Sequence, residues 1–473
     1  MFNVFKKNQK GASLILVIVF ITILTTFGII ILQWGTMQMK SANQTIEKEL
    51  SLQISEAGIE YYRWHLAHAG EDYQDGTGNS GPYIHDYKDI NGNILGQFSL
   101  EIDPPPSGST VVTIKSTGYP NSNPNLKRKI VSRVGIPSYA EYSFLVNSNT
   151  WFGDTENVRG KLHSNGGIRL DGSCDSIISS AKETYICTSV HGCSQTKCLN
   201  PCVWTANSCK CPGVWGAGGP QTFWKFPLPA VDFNIITADL SKIRTNAQDQ
   251  GVYLGPSGSY GYHLYFKSNG TFDVYKITGL TSPYWYTTTY SGWTYGSVDI
   301  GTKTFLQNYS IPANGLIFVE DTTWIDGIIE GRATVGVGFF PENAVTRKSA
   351  IINGNLVYNN KDGSDSIGII AQKDIVLPKF SPDNLEINGV LLAQYGATQA
   401  YYYYPAGSNV KNQITTFGSV ISNKIWTWSW VNGSTTTSGY KTTYTTYDSN
   451  LIYAPPPYFP KKDEFEVLSW EEN

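Results

Sequence analysis

Residues Ala12 to Leu32 form a 21-residue apolar run, with the basic stretch Lys6-Lys7-Asn8-Gln9-Lys10-Gly11 before it and no charged residue until Lys40. About 20 apolar residues, each rising roughly 1.5 Å, cross a hydrocarbon core of about 30 Å. The run therefore commits the chain to a membrane before anything else about it is read. Three lysines precede the run and a mildly acidic region follows it. The positive-inside rule then predicts a cytoplasmic N-terminus, with residues beyond about Lys40 outside.

Three processing schemes fit such a run. A secretory signal peptide has an apolar core of about 7–15 residues and then a small-residue cleavage site. Here the core is longer, and Gln33-Trp34-Gly35-Thr36-Met37 lacks an A-x-A pattern. An uncleaved signal anchor fits the length. The third scheme cuts on the other side of the run, at Gly11-Ala12. Beyond the run, Met39, Ala42, Ile46, Leu50, Ile54, Ala57, Tyr61 and Trp64 recur at steps of three or four, one apolar stripe of a helix. No proline interrupts the chain from Ala12 to Gly81. One helix over about 12–69 is expected, with Gly28 and Gly35 as helix-weakening points where it could bend or locally melt.

The basic leader ending in Gly11, the small Ala12 and the long apolar helix resemble the class III leader of type IV pilins and pseudopilins. The segment Lys6 to Leu32 with the helix to Trp64 resembles PilX-type minor pilins. The resemblance implies removal of a leader 1–11 after Gly11 by a prepilin peptidase, and methylation of Ala12. It also implies other pilin or pseudopilin subunits and an inner-membrane assembly platform as partners. The family usually carries a Glu at the fifth mature residue, which here is Leu16. In the family that carboxylate is thought to neutralise a neighbour's N-terminal amine in the fibre, and a buried charge needs such a partner. Leu16 supplies none. A subset of minor subunits, the K-type pseudopilin among them, shares this lack. The resemblance thus points to a minor, tip-located or priming subunit rather than a repeating one.

At 473 residues, the chain is too long for one ordinary core. Charged residues make up 15%, against roughly 25% in typical soluble proteins. Net charge is −3, which leaves no footprint for nucleic acid. Tyr, Thr, Ser, Gly and Asn dominate the C-terminal two-thirds, the composition of extended structure with many turns. Alternating runs at Gly96–Ile102, Thr110–Ser116 and Lys127–Val134 predict at least three antiparallel strands. With the helix they make a pilin-like domain over 12–137. Asp89-Ile-Asn91-Gly92-Asn93 resembles half a calcium loop but lacks the other acidic positions, so a hairpin turn is the better reading.

From about Ser138 the pattern becomes apolar-x-Gly-x-apolar: Val158–Leu162, Ile325–Ile329, Ile352–Leu356, Ile387–Leu391 and Thr416–Val420. The last four recur after 27, 35 and 29 residues. Short strands stacked over a shared apolar column, with Gly at the corners, would produce this. The fold class expected is mainly β: a long N-terminal helix with a small antiparallel sheet, then a parallel β-helix over 138–473. A β-sandwich is the alternative. Two insertions are expected, a Cys-rich one over 173–222 and an α/β one over 236–310. The latter holds a short helix at Ala238–Gln250 and a hairpin at Val252–Val274.

All seven cysteines lie between Cys174 and Cys211, in a segment poor in apolar residues. Outside the cytoplasm such a loop depends on cross-links for order. Cys187, Cys193, Cys198, Cys202, Cys209 and Cys211 are the disulfide candidates, with Cys187–Cys193 one pair and Cys174 left over. A zinc knuckle from Cys193, Cys198, Cys202 and Cys209 beside His191, or reduced thiols, are the competing readings. No catalytic motif is present and no cofactor or metal is expected: there is no H-E-x-x-H, G-x-S-x-G or P-loop. His65 and His68 fall on the helix end, and His163 reads as structural. Glu320, Asp321, Asp326 and Glu330 cluster on one rung, as paired carboxylates of a glycan hydrolase would, but turn and solvent-face roles explain them more simply. Trp426, Trp428 and Trp430 alternate, and Tyr401–Tyr404 form a run. The tryptophans are either buried or an aromatic platform for a surface glycan or protein. The function expected is structural, a single-pass membrane subunit of a pilus or pseudopilus displaying an adhesive β-rich head. A permanently anchored adhesin or glycan-binding protein is the alternative.

Overall fold

The computed structural model describes residues 12–472 except 195, 197, 237 and 238. The leader 1–11 with Gly11, and Ala238 at the start of the expected short helix, lie outside the described residues. Two compact units are present: residues 12–105, 111–135 and 465–472, and residues 106–110 and 136–464.

In the first unit, α1 runs unbroken from Ala12 to His68. It passes through the helix-weakening Gly28 and Gly35 without interruption, as one helix over about 12–69 requires. At about 1.5 Å per residue it is about 85 Å long. Five antiparallel strands follow the order β1 (Tyr83–Lys88), β2 (Ile94–Asp103), β3 (Val111–Pro120), β4 (Arg128–Gly135) and Glu466–Glu472. The last strand pairs with β4, so the C-terminus belongs here and not, as the division at 138 had it, with the β-helix. Asp89 caps the β1–β2 hairpin by accepting from the Asn91 and Asn93 amides at 2.8 Å each.

The C-terminal half of α1 packs on this sheet through a face the apolar stripe misplaces. Met39, Ile46 and Trp64 are 70, 65 and 59% exposed. The buried face is Ser51, Ile54, Ser55, Gly58, Ile59, Tyr62 and Leu66. Small residues dominate its first turns because the backbones come close. A Cβ on Gly118 would lie 2.4 Å from the Ser55 amide, and one on Gly58 2.3 Å from Ser116 Oγ. Ser55 Oγ donates to the Ser116 carbonyl at 2.7 Å and Ser51 Oγ to that of Leu126 at 2.8 Å, so the two buried serine hydroxyls of α1 are satisfied. Beyond this contact, Ile59, Tyr62 and Leu66 join Leu100, Val112, Ile114, Ile130 and Val134 in one core.

The second unit is a stack of short parallel strands. Among the described residues, one ladder places Val252, Ile317, Val335, Ile369, Leu391, Val420, Phe144, Leu162, Ile178 and Trp224 side by side in that order. The order is not that of the chain. The chain enters mid-stack at Phe144 and builds to one end at Trp224. It then passes through α2 (Phe233–Ile236) and α3 (Leu240–Gln250). It re-enters at the other end with Val252 and stacks back until Val420 pairs with Phe144. A second parallel ladder joins Ile387, Thr416, Thr445, Val158 and Cys174.

The two faces of the first ladder have different partners. Phe144, Ile317, Val335, Ile369, Leu391 and Val420 point into the central core. Their neighbours Leu145, Leu316, Phe318, Ile370, Leu392 and Ile421 point outward and are covered by Phe233, Ile236, Leu240, Ile243 and Ala247 of the connecting helices, with Leu451 and Phe459. Burial on both sides is why these strands read as continuous apolar runs. The glycine units mark corners where expected: Gly389 and Gly418 are paired neighbours with φ of +131° and +139°. Gly354 differs, sitting in a register shift between Ile325/Ile352 and Gly327/Leu356 pairings.

The insertions are smaller than expected. Ser173–Cys174 and Ile178–Ser180 are rungs of the stack. The Cys-rich excursion is a three-stranded antiparallel sheet within residues 184–212. Within 236–310, Gly261–Lys267 is itself a rung, pairing with Thr323–Ile329, and Thr271–Leu280 and Ile300–Ser310 extend it as a meander.

Candidate functional site

Of the processing residues, Ala12 is the first residue of α1. Leu16 is 59% exposed on the apolar half of the helix. That half is long and apolar enough to cross a membrane, and it is unburied in the isolated chain.

The six candidate cysteines form three disulfides: Cys187–Cys193, Cys198–Cys209 and Cys202–Cys211. Cys174 is unpaired and buried. The thiols that a zinc knuckle would need are thus consumed in cross-links. His191, its proposed neighbour, is buried and bonds Thr188 and the Asn149 carbonyl instead.

The carboxylate cluster disperses into separate hydrogen-bonded groups, of which Glu320 and Asp321 pair with a cation. Glu320 accepts from Arg244 at 2.5 Å and from Tyr253 at 2.8 Å. Asp321 accepts from Ser257 Oγ at 2.6 Å and Lys348 at 3.0 Å. Burial alone would raise the Asp321 carboxyl, but these hydrogen bonds outweigh it and hold the group below the usual carboxylate range. Asp326 accepts from His263 and Asn353, each at 2.7 Å, and Glu330 from Asn359 at 3.2 Å. His163 is buried, with its ring bonded to Ser179 and Asn165. Burial lowers its pKa.

The tryptophans do not share a face. Trp426 and Trp428 are 2 and 0% exposed, inside the central core, with Trp426 against Phe144 and Phe152 at 4.4 and 4.9 Å. Regular strand begins only at Ser429, so strict alternation does not apply across the bend at Trp428. Trp430 is half-buried and donates its indole N–H to the Ala400 carbonyl at 2.9 Å. The tyrosine run does alternate: Tyr401 and Tyr403 are buried, Tyr402 is half-buried and Tyr404 is 60% exposed.

Trp430 borders a cleft of about 700 Å³ that sequence reasoning missed. Its walls come from residues 151–156, 169–171, 189–191, 287–289 and 425–436. Arg169 lies between the Trp151 and Trp215 rings at 4.7 and 5.2 Å and pairs with Asp171 at 2.8 Å. Trp151 also donates to Asp171. With Ala217 the lining comes from six separated segments, and no local motif could announce such a site.

Glu156, in the same wall, has its carboxyl pushed up to about 8 by burial and bonds Thr443. A carboxyl raised in the folded state stabilises the fold while protonated. That contribution is complete below its unfolded value, near 4.3, and is lost as pH rises through about 8. Glu156→Gln is therefore expected to melt with wild type at pH 4 and above it at pH 8, by a difference on the order of a few kcal/mol. Parallel melts at the two pH values check this.

These features fit a single-pass membrane-anchored chain with a β-rich bulk, α1 being the one helix among the described residues that is long and apolar enough to cross a membrane. No family model and no curated protein matches the sequence. Among solved structures, the competence-associated pilin ComZ from Thermus thermophilus aligns over 90% of this chain and 98% of its own, at 14% identity and a TM-score of 0.27. An overlap that slight assigns neither fold nor function.

Proposed function

We propose that the protein is a pilin-like minor subunit, held by α1 in the membrane or in a fibre core and presenting the β-stack outside. The observation that carries this reading is α1 itself. One uninterrupted helix has an apolar half that is unburied among the described residues and a second half seated on a small antiparallel sheet. An ordinary anchor needs no such rigid continuation, whereas a fibre subunit uses it to fix the bulk against a helical core. The exposed apolar half would pack on other pilin-like subunits. A prepilin peptidase and an assembly platform would process and load the chain, and the lysines before Ala12 favour a cytoplasmic N-terminus.

Leu16 supports a minor position, because it offers no carboxylate to a neighbour's amine. So does the bulk of residues 136–464, which is hard to repeat along a thin fibre. A structural rather than enzymatic role accords with the engaged state of all four clustered carboxylates. Gold-labelled antibody to the β-stack is expected to mark filament tips. Continuous labelling along filaments would overturn the minor-subunit reading, and label confined to the cell envelope would favour a permanent anchor.

A further inference from the structure

We propose that the β-stack unit binds a neutral oligosaccharide on the rings of Trp293, Tyr402, Tyr404 and Trp430, along a path that continues into the cleft beside Trp151. The surface lies wholly within the second unit and does not depend on the fate of the leader.

A small antiparallel sheet of Thr294–Gly296, Tyr284–Thr287 and Tyr402–Tyr403 builds it. Trp293 and Tyr404 are 51 and 60% exposed. The rings form a connected series: Tyr404 and Tyr402 lie 6.2 and 5.7 Å from Trp293, and Tyr402 lies 5.7 Å from Trp430. Trp430, with Thr287, Thr288 and Thr289, also lines the cleft, so platform and cleft are one surface.

The platform is held rigidly from beneath. Tyr286 stacks on buried Tyr401 at 4.8 Å with an interplanar angle of 2°, and Tyr403 is fully buried. Tyr290 donates to Asp374 at 2.6 Å. Aromatic rings fixed in this way provide contact area at little entropic cost.

The chemistry of the surroundings selects the occupant. No charged residue occurs between Lys276 and Asp299, between Glu386 and Lys411, or between Lys424 and Lys441, the three segments that build the platform. In the cleft, Arg169 and Asp171 neutralise each other, and Asp154 is the exposed charge at its rim. Two lysines approach from neighbouring segments, but each lies against a ring, Lys379 over Tyr284 at 4.6 Å and Lys424 over Tyr290 at 3.7 Å, so the surface presents no cluster of like charge to steer a phosphate, a nucleic acid or a charged peptide. A protein-docking patch is enriched in Met and Arg as well as aromatics, whereas this surface pairs rings with threonine and serine hydroxyls. Rings that take the C–H faces of a sugar, beside hydroxyls that take its hydroxyls, fit an uncharged glycan chain.

The test uses the full chain in detergent, with tryptophan fluorescence and calorimetry. The probes are cellohexaose, chitohexaose, mannohexaose, maltohexaose and, as the charged comparison, hexagalacturonate. At least one neutral hexasaccharide is expected to bind saturably. Trp293→Ala and Tyr404→Ala are expected to weaken it at least tenfold, with thermal melts unchanged because both side chains are more than half exposed. Tyr260→Ala, at another exposed tyrosine, is expected to bind as wild type does. The proposal is overturned if no neutral probe binds, if both variants bind undiminished, or if hexagalacturonate binds best. It is equally overturned if the two variants abolish self-association of the chain without any glycan binding, which would make the platform an interface between copies.

Discussion

Gly418→Val is expected to prevent the β-stack from folding. At φ +139° an L side chain is strained, at about 1–3 kcal/mol. The added Cβ would also lie 2.0 Å from the Gly389 carbonyl oxygen of the paired strand. Relief of that overlap requires the two rungs to part, at a further cost of about 1–3 kcal/mol or more. Domains are stable by about 5–15 kcal/mol, so the sum is a large share of the total. The loss would spread, because Val420, two residues on, pairs with Phe144 and closes the C-terminal rungs onto the N-terminal ones. Soluble yield and thermal melting in detergent measure it. Gly153→Ala, where nothing lies within 4 Å of the added carbon, is the control and should stay within about 0.5 kcal/mol of wild type. A wild-type melt for Gly418→Val would show that the corner tolerates a side chain.

Reduction of the folded protein is expected to release the Cys-rich sheet while the stack stays folded. The bridges close loops with sequence separations of 6, 11 and 9 residues. In the chain-entropy account each loop of that size is worth about 2–3 kcal/mol. Little else orders the segment: its apolar cluster is Tyr185 and Trp215 around the cysteines themselves. Trypsin should then cut after exposed Lys210 within minutes in reductant and not without it. The same treatment should loosen the cleft, because Arg169 donates to the carbonyls of His191 and Gly192 inside the cross-linked segment. Equal resistance with and without reductant would mean that packing alone orders the sheet.

The elements with a strong local signal were legible in the sequence. The helix expected over 12–69 is Ala12–His68, and the three alternating runs are β2, β3 and β4. The repeating glycine units announced a stack because a corner imposes the same residue at each turn. The seat of α1 on its sheet was not legible, since Ser51, Ser55 and Gly58 are selected for close approach and carry no apolar signal. Nor was the order of the rungs: nothing local tells Phe144 that its neighbour is Val420, because any apolar strand of the right length could stack there. Alternation in the sequence places Trp426, Trp428 and Trp430 on one face only if the strand is straight, and the chain bends at Trp428. The ring path through Trp293 and Tyr402 joins residues more than a hundred positions apart, visible only once the stack has brought them together.

If α1 begins life as a pilin-type helix, as proposed, rather than as a plain anchor, the mature N-terminus records it. N-terminal sequencing with intact mass of the protein taken from its native membrane tests it most directly. The expected result is a mature chain that starts at Ala12, methylated on its amine. A chain that retains the leader and starts at Met1 or Phe2 would contradict it.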